Sequence, residues 1–367
     1  MLPPERRLPQ LDQLIERELF FVVHAPRQSG KTTALRTLAH RLTAAGSHAA
    51  LHASCEGGQA AAGDLERGIN AVVAAIEFQS EELAAELRPP AAANVRDVPA
   101  EVRLTVFLSR WTESCPRPVV LFLDEIDALL DDTLLSVLRQ LRTGYPNRPR
   151  RFPSSVALIG LRDVRDYKVR LRPEQDSLGT ASPFNIKAES LTLRNFTAGE
   201  VAELYQQHTA DTGQVFTAEA TERAYELTRG QPWLVNALAR QLVDLEVPER
   251  QQPIRVDDVE HAKEALILRR DTHLDSLIDR LREPRVQRVI EPILAGELLA
   301  PDVLDDDLQL VQDLGLVAPG RDGLEIANPI YREVLTQAVS YFSRRRQLTS
   351  SEPLRGHASQ ATHLAAD

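Results

Sequence analysis

Along the first half of the chain, short unbroken apolar runs alternate with segments of helical period. Phe20-Phe21-Val22-Val23-His24 is such a run, feeding a loop from which Lys31 to Leu42 continues with Leu35, Leu38 and Leu42 on one helical face. Ala49 to Ala53 predicts a weaker strand, Asp64 to Leu87 a long helix broken by the Pro- and Ala-rich loop Arg88 to Asn94, and Ala100 to Glu113 another helix. Val119-Val120-Leu121-Phe122-Leu123 is the strongest strand, apolar without alternation. Runs of that kind suit parallel strands covered on both faces. With Val156 to Ile159 and Ser190 to Leu193 the strands number five, joined by helices, which predicts a three-layer α/β sandwich around a parallel five-stranded sheet.

The pattern changes after Arg194. Thr197 and Glu200 are spaced as a capping box ahead of an amphipathic helix carrying Val201, Leu204 and Tyr205. Helices over Ala218–Thr228 and Pro232–Leu245 follow, separated by Gly230-Gln231-Pro232. This reads as a helical lid. Further on, from about Leu281 to Phe342, the order is helix, helix, a hairpin turning at Pro319-Gly320-Arg321-Asp322-Gly323, and a last helix from Pro329, the order of a winged helix. The expected organisation is a core over 1–194, a helical lid over 195–250, a linker helix with a winged-helix domain over 251–343, and a disordered polar tail over 344–367.

Composition narrows the class. Hydrophobic residues make up 43% and charged residues 26% of the 367, ordinary for a globular protein with a sizeable core. No stretch approaches the ~18 apolar residues of a membrane span. Met1 to Arg7 lacks the apolar run of a secretory leader, and two cysteines, Cys55 and Cys115, suit a reducing cytoplasm. A net charge of −10 argues against wholesale coating of nucleic acid.

The chemistry concentrates in Ala25-Pro26-Arg27-Gln28-Ser29-Gly30-Lys31-Thr32-Thr33, entered by a strand and left by a helix. Successive backbone N–H groups and a helix N-terminus make a concave anion site. Gly30 permits close backbone approach, Lys31 can bridge the β- and γ-phosphates of a nucleotide, and the Thr32 hydroxyl can ligate Mg²⁺. Ala25 stands where the phosphate-loop pattern has its first glycine. Further along, the strongest strand ends in Asp124-Glu125-Ile126-Asp127. That places Asp124 at the carboxyl edge of the sheet, to hold the metal, and Glu125 beside it, to orient or deprotonate a water. The same acids would also suit a plain strand-to-helix turn, since a helix N-terminus favours negative charge. A third strand end, Ile159-Gly160-Leu161-Arg162-Asp163, offers Arg162 to stabilise transition-state charge, with Arg165, Lys168 and Arg170 as competitors.

Taken together, His24 to Thr33, Leu123 to Asp127, Gly160-Leu161-Arg162-Asp163 and Gly230-Gln231-Pro232 resemble the STAND ATPases, a signalling branch of the P-loop NTPases related to AAA+ proteins. The resemblance spans roughly residues 8–340. It implies strand order 5-1-4-3-2, ATP and Mg²⁺ as ligands, a lid in which Pro232 faces the nucleotide, and a winged helix that contacts a protein partner or supports self-assembly. The lid arginine of AAA+ proteins has no clear counterpart, Arg240 lying two turns along its helix. The leading expectation is a cytoplasmic ATPase switch. One alternative is a DNA-associated AAA+ ATPase, for which the stretch Arg142 to Arg172 offers nine basic residues interleaved with Tyr145 and Phe152. A DNA-reading winged helix needs a basic recognition helix, whereas Asp302, Asp305, Asp306, Asp307 and Asp313 crowd the second helix here, so protein contact is favoured over nucleic acid. Another alternative is a nucleotide-stabilised scaffold with little turnover. His48, His52 and Cys55 have ligand-like spacing but no fourth partner, and zinc is set aside.

Overall fold

The computed structural model describes residues 2–3, 6–91, 95–161, 186–269, 272–300, 302 and 305–350. The apolar runs form a parallel sheet: β1 (Phe20–His24), β2 (Ala49–Ser54), β3 (Val119–Asp124), β4 (Ser155–Gly160) and β5 (Lys187–Thr192). Their order across the sheet is β2-β3-β4-β1-β5, the one implied by the resemblance. The strand that feeds the glycine loop and the strand that ends in acids are therefore not neighbours. β4 lies between them.

Both faces are covered, which is why the strands read as continuous apolar runs. On one face α1 (Leu11–Glu16) and α2 (Lys31–Ala44) bury Leu11, Leu14, Ile15, Leu35 and Leu38 against Phe21, Val23, Phe122 and Ile159. On the other, α3 (Leu65–Ser80), α4 (Ala100–Ser114) and α5 (Asp131–Gly144) bury Ile69, Phe107, Trp111 and Val137 against Phe20, Val22, Leu121 and Leu158. Alternate residues of one strand thus enter two different cores. The long helix expected over Asp64 to Leu87 stops at Ser80, and a separate 3₁₀ turn covers Ala85–Leu87.

The remainder is helical. α6 (Ala198–Thr212) starts with the expected capping box, Thr197 accepting from the Glu200 amide while Glu200 accepts from the Thr197 amide, and Gly213 closes it at φ 78°. α7 (Ala218–Thr228) and α8 (Pro232–Gln241) follow, with Pro232 in the first turn of α8 and the Gln231 side chain capping it. A π turn over Leu242–Glu246 ends that stretch before α9 (Val256–Arg269) and α10 (Thr272–Arg280). α11 (Pro284–Leu294), α12 (Asp306–Asp313), the antiparallel pair β6 (Val317–Pro319) and β7 (Leu324–Ile326), and α13 (Pro329–Ser350) complete the chain. Apolar residues from Val201 to Ala338 form one cluster that runs unbroken across residue 250. α13 continues to Ser350, into the segment expected to be disordered from 344. Arg344, Arg345, Arg346, Gln347 and Leu348 are good helix formers, so a helix nucleated by its packed part propagates past its apolar stripe. Residues 351–367 lie outside the described residues.

Among the contacts that join the sheet layer to the helical part, two lie at the end of β5. The Phe196 amide donates to the Gly230 carbonyl (2.9 Å), and Gly230 sits at φ +70° with its Cα so close to Phe196 that a Cβ would lie 1.9 Å from the Phe196 oxygen. Arg194 forks onto Glu200 at 2.6 and 2.9 Å. These bonds hold the Glu200 carboxyl down at about 2 against the opposing effect of burial.

Gly230→Ala is expected to lower stability by more than about 2 kcal/mol, because the clash is with backbone that cannot rotate away; urea unfolding measures it, and a loss near zero would contradict the contact. Glu200→Gln keeps a capping side chain but loses the ion pair, and should cost about 1 kcal/mol at pH 7. Because the carboxyl is depressed on folding, that advantage is complete above its ordinary value of 4.5 and disappears as pH falls through about 2. Unfolding free energies of wild type and variant should therefore converge over that window.

Candidate active site

The loop between β1 and α2 ends at Gly30, which caps α2 at φ +84° and without a side-chain hydrogen bond. A helix start leaves its first N–H groups without intrahelical acceptors, so an uncapped one is open to an anion. Only glycine takes that left-handed conformation without strain. Arg7 passes beneath it: a Cβ on Gly30 would lie 3.4 Å from the Arg7 guanidinium, which bonds the Arg194 carbonyl at 2.7 Å through Nε and stacks on Phe196.

Lys31 folds back over its own loop, donating to the carbonyls of Ala25 (2.6 Å) and Pro26 (2.9 Å). Burial brings its ammonium down to about 8, partly offset by Asp124, Asp127 and Glu125. It is a cation facing acids across a cavity. Asp124, only 2% exposed, ends β3. Its Oδ2 accepts from the Thr32 hydroxyl at 2.6 Å and lies 3.0 Å from His52 Nε2, and its Oδ1 accepts from the Glu125 amide at 2.8 Å. Burial pushes this carboxyl up, but the hydrogen bonds from His52 and Thr32 outweigh it and hold the group below the ordinary carboxylate range. Glu125 adopts φ 55°, a strained choice for a residue other than glycine, and accepts from the Ser54 hydroxyl. Asp127 accepts from the Leu161 amide at 3.3 Å.

Lys31, Thr32, Asp124, Glu125 and Asp127 line one cavity of about 510 Å³, together with Arg27, Gln28, Gly30, Thr33, Gly160 and Leu161. Its size suits a nucleotide. A hydroxyl and a carboxylate 2.6 Å apart at the mouth of an uncapped helix are the hard oxygen donors that Mg²⁺ takes from protein, the rest of its shell being water and phosphate. The residues present fit both groups.

Other expected positions fall elsewhere. Ala25 and Ser29 are buried in the loop and do not line the cavity, although the Ala25 carbonyl holds Lys31. Pro26 likewise contributes its carbonyl. Pro232 is buried at the start of α8 and is not among the lining residues. Arg240 pairs with Asp244 at 3.5 Å and borders a different cavity, about 340 Å³, with Gln28, Trp233 and Arg269. Arg162, Arg165, Lys168, Arg170 and Arg172 lie outside the described residues. In the described part of the basic stretch, Arg148 stacks 3.5 Å over the Tyr145 ring and bonds the Glu18 carbonyl, and Arg151 pairs with Glu113 at 2.5 Å. Of the zinc-like trio, His48 is half-buried, His52 is on Asp124, and Cys55 is buried with its thiol pushed up.

Comparison with known proteins agrees with the geometry. The family described as "AAA domain" matches over residues 14–167, from α1 through β4. A Walker-type ATPase of Pyrococcus abyssi superposes with a TM-score of 0.62 at 16% identity, covering 92% of this chain and 96% of that one. This is the P-loop ATPase fold. The region that matches the AAA-domain model carries the cavity, and the likeness to the solved structure continues over the helices beyond it. Weaker likenesses include Cdc6p from Pyrobaculum aerophilum (TM-score 0.49, 15% identity, 92% and 93% covered) and the RuvB branch migration motor of Thermotoga maritima (0.46, 15%, 90% and 93%). No curated protein matches. No helix among the described residues is long and apolar enough to cross a membrane.

Ser54, Glu56 and Gln59 were not evident as site residues from sequence, and His52 was weighed only as a zinc ligand and set aside. The period-two rule puts His52 and Ser54 on one face of β2, and the pairing of Ser54 with Asp124 turns that face toward the acids. That register is a tertiary fact.

Proposed function

We propose that the protein hydrolyses ATP as a molecular switch of the STAND or AAA+-like kind. The observation that carries this reading is the convergence of Lys31, Thr32, Asp124 and Glu125 on one cavity at the carboxyl edge of the sheet. In it the N–H groups from Gly30 to Thr33 would grip the phosphates. Lys31 would leave its loop carbonyls for the β- and γ-phosphate oxygens, regaining full charge beside them. Thr32 and Asp124 would hold Mg²⁺, which when bound neutralises charge developing on the transferred phosphoryl group. Glu125 would orient the attacking water and take its proton once Ser54 releases it.

The switch part rests on a second contact. Gly315, in the turn between α12 and β6, lies against the phosphate loop: a Cβ there would come within 2.5 Å of Pro26 Cγ. In this reading the winged-helix-like segment α11 to α13 would respond when Pro26 moves, and a protein partner or a second copy of the chain would read that movement.

Lys31→Ala should reduce ATP binding by at least about 100-fold, and Glu125→Gln should keep binding while losing most turnover. Fluorescent-nucleotide titration and phosphate release measure the two, and equal binding by wild type and Lys31→Ala would refute the assignment. Small-angle scattering of Glu125→Gln with and without ATP·Mg²⁺ should show a change in radius of gyration; identical profiles would favour the scaffold alternative.

A further inference from the structure

β2 lies at the edge of the sheet, and His52 and Ser54 occupy the face it shares with Asp124. The His52 ring is 7% exposed, and its Nε2 lies 3.0 Å from Asp124 Oδ2. An ionised carboxylate can only accept, so Nε2 carries the hydrogen and donates. The same oxygen receives the Thr32 hydroxyl at 2.6 Å, and the other oxygen receives the Glu125 amide at 2.8 Å. Three donors from three elements therefore fix one side chain, and His52 is the one that approaches from outside the phosphate cavity. Its ring borders a separate cavity of about 230 Å³ between α2, β2 and α3.

We infer that His52 is a positioning residue for the metal side of the site, holding Asp124 in the rotamer that engages the Thr32 hydroxyl. The consequence is directional. A hydroxyl whose hydrogen is committed to Asp124 turns its lone pairs away from that carboxylate and toward the cavity, the orientation a hard cation requires. Without His52, Asp124 keeps one side-chain donor instead of two and can turn about its χ angles, and Thr32 loses its fixed acceptor. Outer-sphere partners of this kind typically alter metal affinity 10–100-fold.

This inference rests on the nucleotide reading above, and its test separates the two. Mant-ATP binding to the full chain is titrated in EDTA and across a Mg²⁺ series, for wild type, Lys31→Ala, His52→Leu and His52→Gln, each checked by circular dichroism and melting temperature. His52→Leu should bind mant-ATP in EDTA as wild type does, within about twofold, and need at least about tenfold more Mg²⁺ for the half-maximal metal effect. His52→Gln, whose amide can donate to the same oxygen, should recover most of that difference, which a role in packing alone would not produce. Should His52→Leu fail to fold, His52→Asn, too short to reach the carboxylate, takes its place. An unchanged Mg²⁺ midpoint in a folded His52→Leu or His52→Asn, with Lys31→Ala defective, overturns the inference alone. Absence of mant-ATP binding by wild type overturns the nucleotide reading and this one with it.

Discussion

A carboxylate that is 2% exposed at the end of a central strand sets the terms for the rest of this molecule. Charge at that depth is costly unless donors surround it. Asp124 has three: the Thr32 hydroxyl from α2, the His52 ring from β2 and the amide of the next residue. Each fixes a piece of architecture. The bond to Thr32 ties the start of α2 to β3 across the intervening β4, and so ties the phosphate loop to the acids. The bond to His52 secures the edge strand. The bond from the Glu125 amide accompanies the left-handed turn that leaves Glu125 facing the cavity rather than the core.

The phosphate loop of that cavity lies close to where the sheet layer meets the helical part. Arg7 packs beneath Gly30 and bonds the carbonyl of Arg194, which in turn forks onto Glu200 at the start of α6. Gly230 abuts Phe196, and Gly315 abuts Pro26. Between the loop and the helical part these contacts leave almost no free space. Tightly packed contacts of this kind rearrange between discrete states rather than flexing smoothly.

Much of the sheet was legible because two-sided burial leaves an unmistakable trace: Val119 to Leu123 has no polar position to confuse the reading. The capping box at Thr197 and the Pro232 helix start were legible for a local reason, since caps are made within four residues. The phosphate loop was legible because its chemistry is also local, a glycine, a lysine and a hydroxyl on one turn. α10, amphipathic as it is, was not separated from the linker helix, and the end of α3 fell short of its apolar pattern because Glu81 and the residues after it turn away.

What the chain determined by itself, then, is which segments become strands and helices and which residues could grip a phosphate. Those properties follow from side-chain period, caps and backbone conformation within a few residues. Tertiary structure decided which of those candidates meet. Thr32 and Asp124 are 92 positions apart and share a hydrogen bond only because β3 and the loop strand end at the same edge of one sheet. His52, whose ligand-like spacing gave no role on its own, became a donor to Asp124, and Arg148 became a stacked partner of Tyr145. The period of a strand says which residues share a face; only the register between strands says what that face touches.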